Sequence, residues 1–117
     1  IPQLHNKYLI FYSNEKLKFK EIKYLFAGLI KRKRDYYSGR MTAKELEMAD
    51  WEPFQLKLLK ADVQEYIDAD DNVIESKKLL ALQEEKVNYL ESIVKSLTTR
   101  GYLIKNAIDW KRFTEGH

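Results

Sequence analysis

The chain has 117 residues, 44% of them hydrophobic and 33% charged, which suits one folded domain with a modest core and excludes a disordered chain. It has no Cys, which excludes disulfides and thiolate chemistry, and its longest apolar run, Tyr24 to Ile30, is far below the roughly 18 residues of a membrane span. The net charge of +3 is uneven: residues 1–40 hold 10 Lys and Arg against 3 acids, residues 41–85 hold 5 against 12, and residues 86–117 hold 6 against 3.

A basic block followed by an acidic one suits an anionic partner at one end, or copies meeting head to tail. Only 2 Pro and 4 Gly interrupt a sequence rich in Lys, Glu, Leu and Ala, a balance that favours helix. Residue 1 is Ile rather than Met and no signal peptide is visible, so the sequence reads as lacking its natural N-terminus. Leu4, Tyr8 and Phe11 repeat at helical spacing up to an expected break at Ser13-Asn14, two residues suited to capping a helix start. From Glu15 to about Tyr37 the pattern predicts one amphipathic helix. Phe19, Ile22, Leu25, Phe26, Leu29 and Ile30 fall on one side of it, and Lys16, Lys20, Lys23, Lys31 and Arg34 fall in a narrow band on another.

Ser38-Gly39 is expected to end that helix, because Gly accepts the left-handed conformation a helix C-terminus needs. Thr42-Ala43-Lys44-Glu45 is a capping-box pattern for a short helix reaching about Ala49, and Trp51-Glu52-Pro53 interrupts it. Phe54, Leu56 and Leu58 alternate over a stretch too short to choose between strand and helix. The acids from Asp68 to Asp71 then open the longest helix, about Asn72 to Thr99, with Asn72 as its expected cap and Glu75 three residues on. Along it Val73, Leu80, Val87 and Val94 recur in the a position of a heptad, with Leu90 and Leu97 in the d position, where Ser76 and Gln83 weaken the line. This stripe, flanked by Leu79, Leu82 and Ile93, is broader than one partner helix covers, so these residues are the candidates for oligomerisation. Arg100-Gly101 is expected to close the helix, and Tyr102 to about Phe113 to form a last one with Ile104, Ile108 and Phe113 inward. The fold class is therefore all-α: amphipathic helices in one small domain, residues 1–117, with a basic half at 1–40 suited to an anionic partner and C-terminal helices at 68–117 as the candidates for assembly.

The sharpest local feature is the run Lys31-Arg32-Lys33-Arg34, followed by Asp35-Tyr36-Tyr37-Ser38-Gly39-Arg40. Adjacent cations repel one another unless an anion compensates. A nucleic-acid strand supplies closely spaced phosphates, and neighbouring aromatic rings can stack on unpaired bases at roughly 1–3 kcal/mol each. The run therefore suits single strands better than duplex. Its bland alternative is a solvated helix end whose two tyrosines pack inward, since both fall near the apolar side of the helical wheel. A reading from another class is a helical assembly adaptor that docks an acidic protein on its basic helix.

Catalytic and metal chemistry find little support. The side-chain oxygens at Asp68, Asp70 and Asn72 resemble the start of a calcium-binding loop, but Val73 stands where that loop needs Gly and Leu79 where it needs Glu. His5 and His117 have no spacing that suits zinc. No glycine-rich phosphate loop and no nucleophile–base arrangement is present. The expectation is a non-enzymatic binding protein without a cofactor.

The segment Asp35-Tyr36-Tyr37-Ser38-Gly39-Arg40 resembles the UvsY family of recombination mediators of T-even-type phages. Ala61-Asp62-Val63, the Asp70-to-Leu79 helix start, Arg100-Gly101-Tyr102-Leu103-Ile104-Lys105 and the ending Asp109-Trp110-Lys111-Arg112-Phe113-Thr114-Glu115-Gly116 extend the resemblance over essentially the whole chain. The resemblance implies a ring-like homo-oligomer of six or seven subunits, in the cytoplasm of the infected bacterial host and without a membrane partner. It implies binding of single-stranded DNA, where the protein helps the phage strand-exchange recombinase replace the phage single-strand-binding protein. It implies that Lys31 and Lys33 contact DNA. The family pattern alternates basic with small or apolar residues, whereas Arg32 and Arg34 fill the intervening places here. It also has an N-terminal stretch that this sequence lacks. The candidate DNA-binding set is Lys31, Arg32, Lys33, Arg34, Tyr36, Tyr37 and Arg40, extended by Lys16, Lys20 and Lys23.

Overall fold

The computed structural model describes residues 2–115, with side chains described for 3–101 and 103–112. Four helices follow in chain order: α1, Pro2–Tyr37; α2, Ala43–Ala49; α3, Lys60–Asp68; and α4, Asp71–Glu115. The described residues contain no strand, and the fold is all-α. Phe113, expected to face inward, has a side chain outside the described residues, and His117 lies outside them altogether.

Two expected breaks are absent. Ser13 and Asn14 lie exposed within α1. Each costs a helix interior only about 0.5–0.7 kcal/mol relative to Ala, and no Pro or Gly accompanies them. The half-buried positions Tyr8, Tyr12, Glu15 and Phe19 keep one 3–4 spacing straight through the pair, so packing on both sides holds the helix together. Gly101 likewise lies inside α4, in step with Val73, Leu80, Val87 and Val94; its cost is about 1 kcal/mol, and no proline follows to force a stop. The expected separate helix from Tyr102 is thus the end of α4, where Ile104 and Ile108 are 41% and 46% exposed instead of inward.

Other ends form as their local chemistry dictates. Gly39 takes φ 74°, Arg40 N–H donates to Asp35 O at 2.8 Å and Gly39 N–H to Tyr36 O at 3.2 Å, the paired bonds that close α1. Thr42 caps α2, accepting from Glu45 N–H at 3.2 Å and donating to the Glu45 carboxylate at 3.1 Å. Residues 51–59 have no regular structure, so the Phe54–Leu56–Leu58 alternation belongs to neither helix nor strand. The cap of α4 is Asp70 rather than Asn72: its Oδ1 accepts from Val73 N–H at 3.1 Å. Helix α3 has no sequence counterpart in the expectations, because Leu59 stands at its cap position and makes no side-chain cap bond.

The chain forms two compact units. In one, α1 through Phe19 runs antiparallel to α4 from Leu82 onward. His5 Nε2 is 3.0 Å from Thr98 Oγ1, and Gln83 Nε2 donates to the Glu15 carboxylate at 2.6 Å and to its backbone carbonyl at 2.9 Å. The Gln83 bond is the main cause that holds the Glu15 carboxyl below its usual range, against a smaller opposing effect of burial and with help from Lys86 at 3.2 Å. Val87, Leu90 and Leu97 are buried in this unit, and Val94 is half-buried.

The other unit, Lys20–Ala81, has a core of Val63, Ile67 and Val73, against which Phe26, Leu29, Ile30, Tyr37 and Leu58 pack. Leu25, expected on the apolar side, is 67% exposed, because it stands at the edge of a stripe narrower than its sequence suggested. Tyr36, Tyr37, Trp51, Phe54 and Tyr66 form an aromatic cluster beside this core, with contacting ring centroids 4.9–5.6 Å apart.

Candidate nucleic-acid interface

The basic run closes α1, and helical geometry sends its four side chains in different directions. Lys31 and Arg32 are exposed and make no hydrogen bond or ion pair among the described residues. Arg34 is exposed and donates to Gln64 Oε1 at 2.9 Å, and Gln64 in turn donates to Asp68 at 2.9 Å, so this guanidinium is steadied by α3. Arg40, folded back by the turn at Gly39, lies 3.4 Å from Asp35 with 64% of its side chain exposed. An ion pair that open to water is worth little and leaves the cation available.

Lys33 is the exception. It is 4% exposed; its Nζ lies 3.1 Å from Asp70 Oδ2 and 3.9 Å from the centroid of the Trp51 ring, with the Tyr36 ring at 5.6 Å. An ammonium group enclosed by a carboxylate and two aromatic faces has its charge satisfied within the chain. Lys33, expected to contact DNA, thus lies inside this unit in the unbound chain, its cation paired with Asp70. The signal was present: eleven residues after Ile22, at about 100° per residue, places Lys33 only about 20° from the middle of the apolar face.

Tyr36 and Tyr37, candidates for base stacking or for inward packing, pack inward in the unbound chain. The Tyr36 hydroxyl donates to the Glu52 carbonyl, and the Tyr37 hydroxyl to Asp70 Oδ2 at 2.6 Å. Burial raises both phenols above their ordinary value, with added repulsion from Glu52 and Asp70 at Tyr36 and the Asp70 hydrogen bond at Tyr37. Asp70 is the residue that sequence reasoning undervalued: burial pushes its carboxyl up, but hydrogen bonds from Tyr37, Lys33 and the Val73 N–H outweigh that and hold it low.

Of the extension, Lys20 and Lys23 are exposed on the part of α1 in the same unit. Lys16 belongs to the other unit, exposed, with its Nζ 5.6 Å from the Tyr12 ring. The oligomerisation candidates are largely spent inside the chain. Val73, Val87, Leu90 and Leu97 are 0–9% exposed, and Leu80 and Val94 are half-buried, so this seam is covered by the chain's own packing. Among the described residues no His, Asp and Glu grouping could hold a metal ion, and no helix is long and apolar enough to cross a membrane.

A family model described as "Recombination, repair and ssDNA binding protein UvsY" matches residues 1–117. The chain belongs to the UvsY family. No curated protein matches it. The fold is similar to the crystal structure of the bacteriophage T4 recombination mediator protein UvsY, with a TM-score of 0.72 at 22% identity, over 95% of this chain and 78% of that one. At that identity the likeness establishes a shared fold. In this chain the basic run ends α1 with Lys31 and Arg32 exposed and unpaired among the described residues.

Proposed function

We propose that this UvsY-family chain binds single-stranded DNA through the outward cations at the end of α1 and acts as a recombination mediator. In this role it helps a phage strand-exchange recombinase replace the phage single-strand-binding protein. The observation that carries the reading is the state of Lys31 and Arg32, which are exposed and have no partner among the described residues while Lys33 beside them is neutralised internally. Two unneutralised adjacent cations repel each other, and phosphates relieve that repulsion while releasing counterions. Arg34 and Arg40 add charge at the same helix end. Membership of a family of recombination, repair and single-stranded-DNA-binding proteins, and a fold shared with the T4 recombination mediator, support the mediator role.

The chain works by binding rather than catalysis, as a homo-oligomer of six or seven subunits in a ring, in the cytoplasm of the infected host. Identical sites around a ring raise the effective concentration for a strand that spans several of them, so individually weak contacts hold it firmly. The test is fluorescence anisotropy of labelled oligo(dT) at moderate salt, with duplex competitor. Binding that prefers the single strand and weakens with salt supports the reading. A flat titration removes it and favours the adaptor that docks an acidic protein.

A further inference from the structure

Tyr24 is 81% exposed on α1, in the same unit as the basic helix end. At about 100° per residue, Lys20, Tyr24 and Lys31 fall within about 40° of one another on the helix face turned away from Ile22 and Phe26. Ala27 and Gly28 occupy the turn between Tyr24 and Lys31, and a Cβ placed on Gly28 would meet nothing within 4 Å. The C-terminal side of the ring is therefore a bare strip of helix. From Tyr24 to Lys31 is about 10 Å along the axis, roughly three nucleotides at a stacked spacing of about 3.4 Å. Lys20, Lys31 and Arg32 are all exposed and unpartnered among the described residues. Glu21 is the only acid between Lys16 and Arg34.

An exposed ring alone names no partner, and it is the surroundings of Tyr24 that select one. The centres of protein–protein interfaces are depleted in Lys, whereas sites for single strands combine cations that track the backbone with an aromatic face that takes a base. Tyr36 and Tyr37, the aromatics next to the basic run, are engaged elsewhere. We propose that Tyr24 is the base-stacking residue of this helix. An unpaired base lies against its ring above the Ala27-Gly28 strip, with Lys20 on one side and Lys31 and Arg32 on the other taking the flanking phosphates. This deepens the reading of α1 as the DNA-binding helix and rests on it.

The test compares short oligo(dT) with an abasic deoxyribose-phosphate strand of equal length, for the parent chain, Tyr24→Ala and Tyr24→Phe. Circular dichroism and sedimentation are followed on the same samples. Tyr24→Ala is expected to weaken oligo(dT) binding roughly 5- to 150-fold, to leave the abasic strand unaffected and to keep the salt slope, with Tyr24→Phe close to the parent. Equal losses on both strands, or no loss on either, overturn the stacking role while leaving the DNA reading intact. A drop in sedimentation for Tyr24→Ala overturns it in favour of a contact between copies of the chain. Failure of the parent to bind either strand overturns the DNA reading itself.

Discussion

Lys33 Nζ lies 3.1 Å from Asp70 Oδ2, with both side chains at most 8% exposed, and the pair ties the basic end of α1 to the N-terminus of α4. The same carboxylate accepts from the Tyr37 hydroxyl at 2.6 Å and from the Val73 N–H at 3.1 Å. One side chain thus neutralises a buried cation, anchors the aromatic cluster and caps a helix. A buried ion pair is not in itself a large source of stability, but removing one partner strands the other's charge.

Asp70→Ala is therefore expected to cost about 3–5 kcal/mol, since it leaves Lys33 unpaired and α4 uncapped. Lys33→Met keeps the length and apolar stem against Trp51, leaves Asp70 its other two bonds, and should cost clearly less. Urea unfolding followed by circular dichroism measures both. Equal losses would mean that Lys33 matters as a charge and not as the neutralised partner of Asp70.

Stability should fall at both ends of the pH scale. Hydrogen bonds hold the folded Asp70 carboxyl below its unfolded value of about 3.9. Its contribution is present above about pH 4 and lost as pH falls through the folded value. Tyr37 is the reverse: burial, then its bond to Asp70, raises the folded phenol above its unfolded value of about 10. That contribution is present below about pH 10 and lost as pH rises through the folded value. Urea midpoints plotted against pH should show both arms, and Tyr37→Phe should shrink the alkaline one, leaving the share of Tyr36. An unchanged alkaline arm would show that Tyr37 is not the titrating group.

Much of this architecture was legible where the signal is local. The capping box at Thr42 and Glu45, the turn at Gly39 and the Val73–Leu80–Val87–Val94 line each need only a few neighbouring residues to be read. The site was less legible because its decisive relation is distant. Helical spacing alone turns Lys33 toward the apolar face, but nothing near it announces that Asp70 will reach it. The same distance hid the role of Asp70, which reads in the sequence as one of several acids opening the long helix, with Asn72 as its expected cap. Ser13 and Asn14 misled in the other direction, since good capping residues mark a helix start only where packing does not carry the helix past them.

The division of labour within the basic run sets a third expectation. Each phosphate contact on a single strand contributes about −0.7 to the slope of log affinity against log salt. Lys31→Ala with Arg32→Ala should flatten that slope by about 1.4 and weaken binding to all sequences alike, because phosphate contacts carry no base code. Lys33→Met should leave the slope unchanged in the folded protein. Anisotropy titrations at several salt concentrations separate the two. A flatter slope for Lys33→Met would mean that Lys33 leaves Asp70 to meet the strand.

The proposed assembly needs side chains that a single chain leaves exposed. Val87 and Leu90 are 6% and 9% exposed within one chain, so an Asp at either place puts a charge into the packed interior of that unit. Val87→Asp should therefore lose helix and thermal stability, and would say nothing specific about assembly. Farther along α4, Leu103, Ile104, Ile108 and Trp110 are 41–67% exposed, an apolar set near the C-terminal end that suits a neighbouring copy. Leu103→Ser with Ile108→Ser removes apolar surface at exposed positions and should keep the helical circular dichroism of the parent. It should sediment as smaller species, with short oligonucleotides bound somewhat less well and long ones far less well, because a strand spanning several subunits loses its linked sites. A double variant that sediments like the parent would move the assembly surface elsewhere, with Leu82 and Tyr89, both 68% exposed on α4, as the next residues to change.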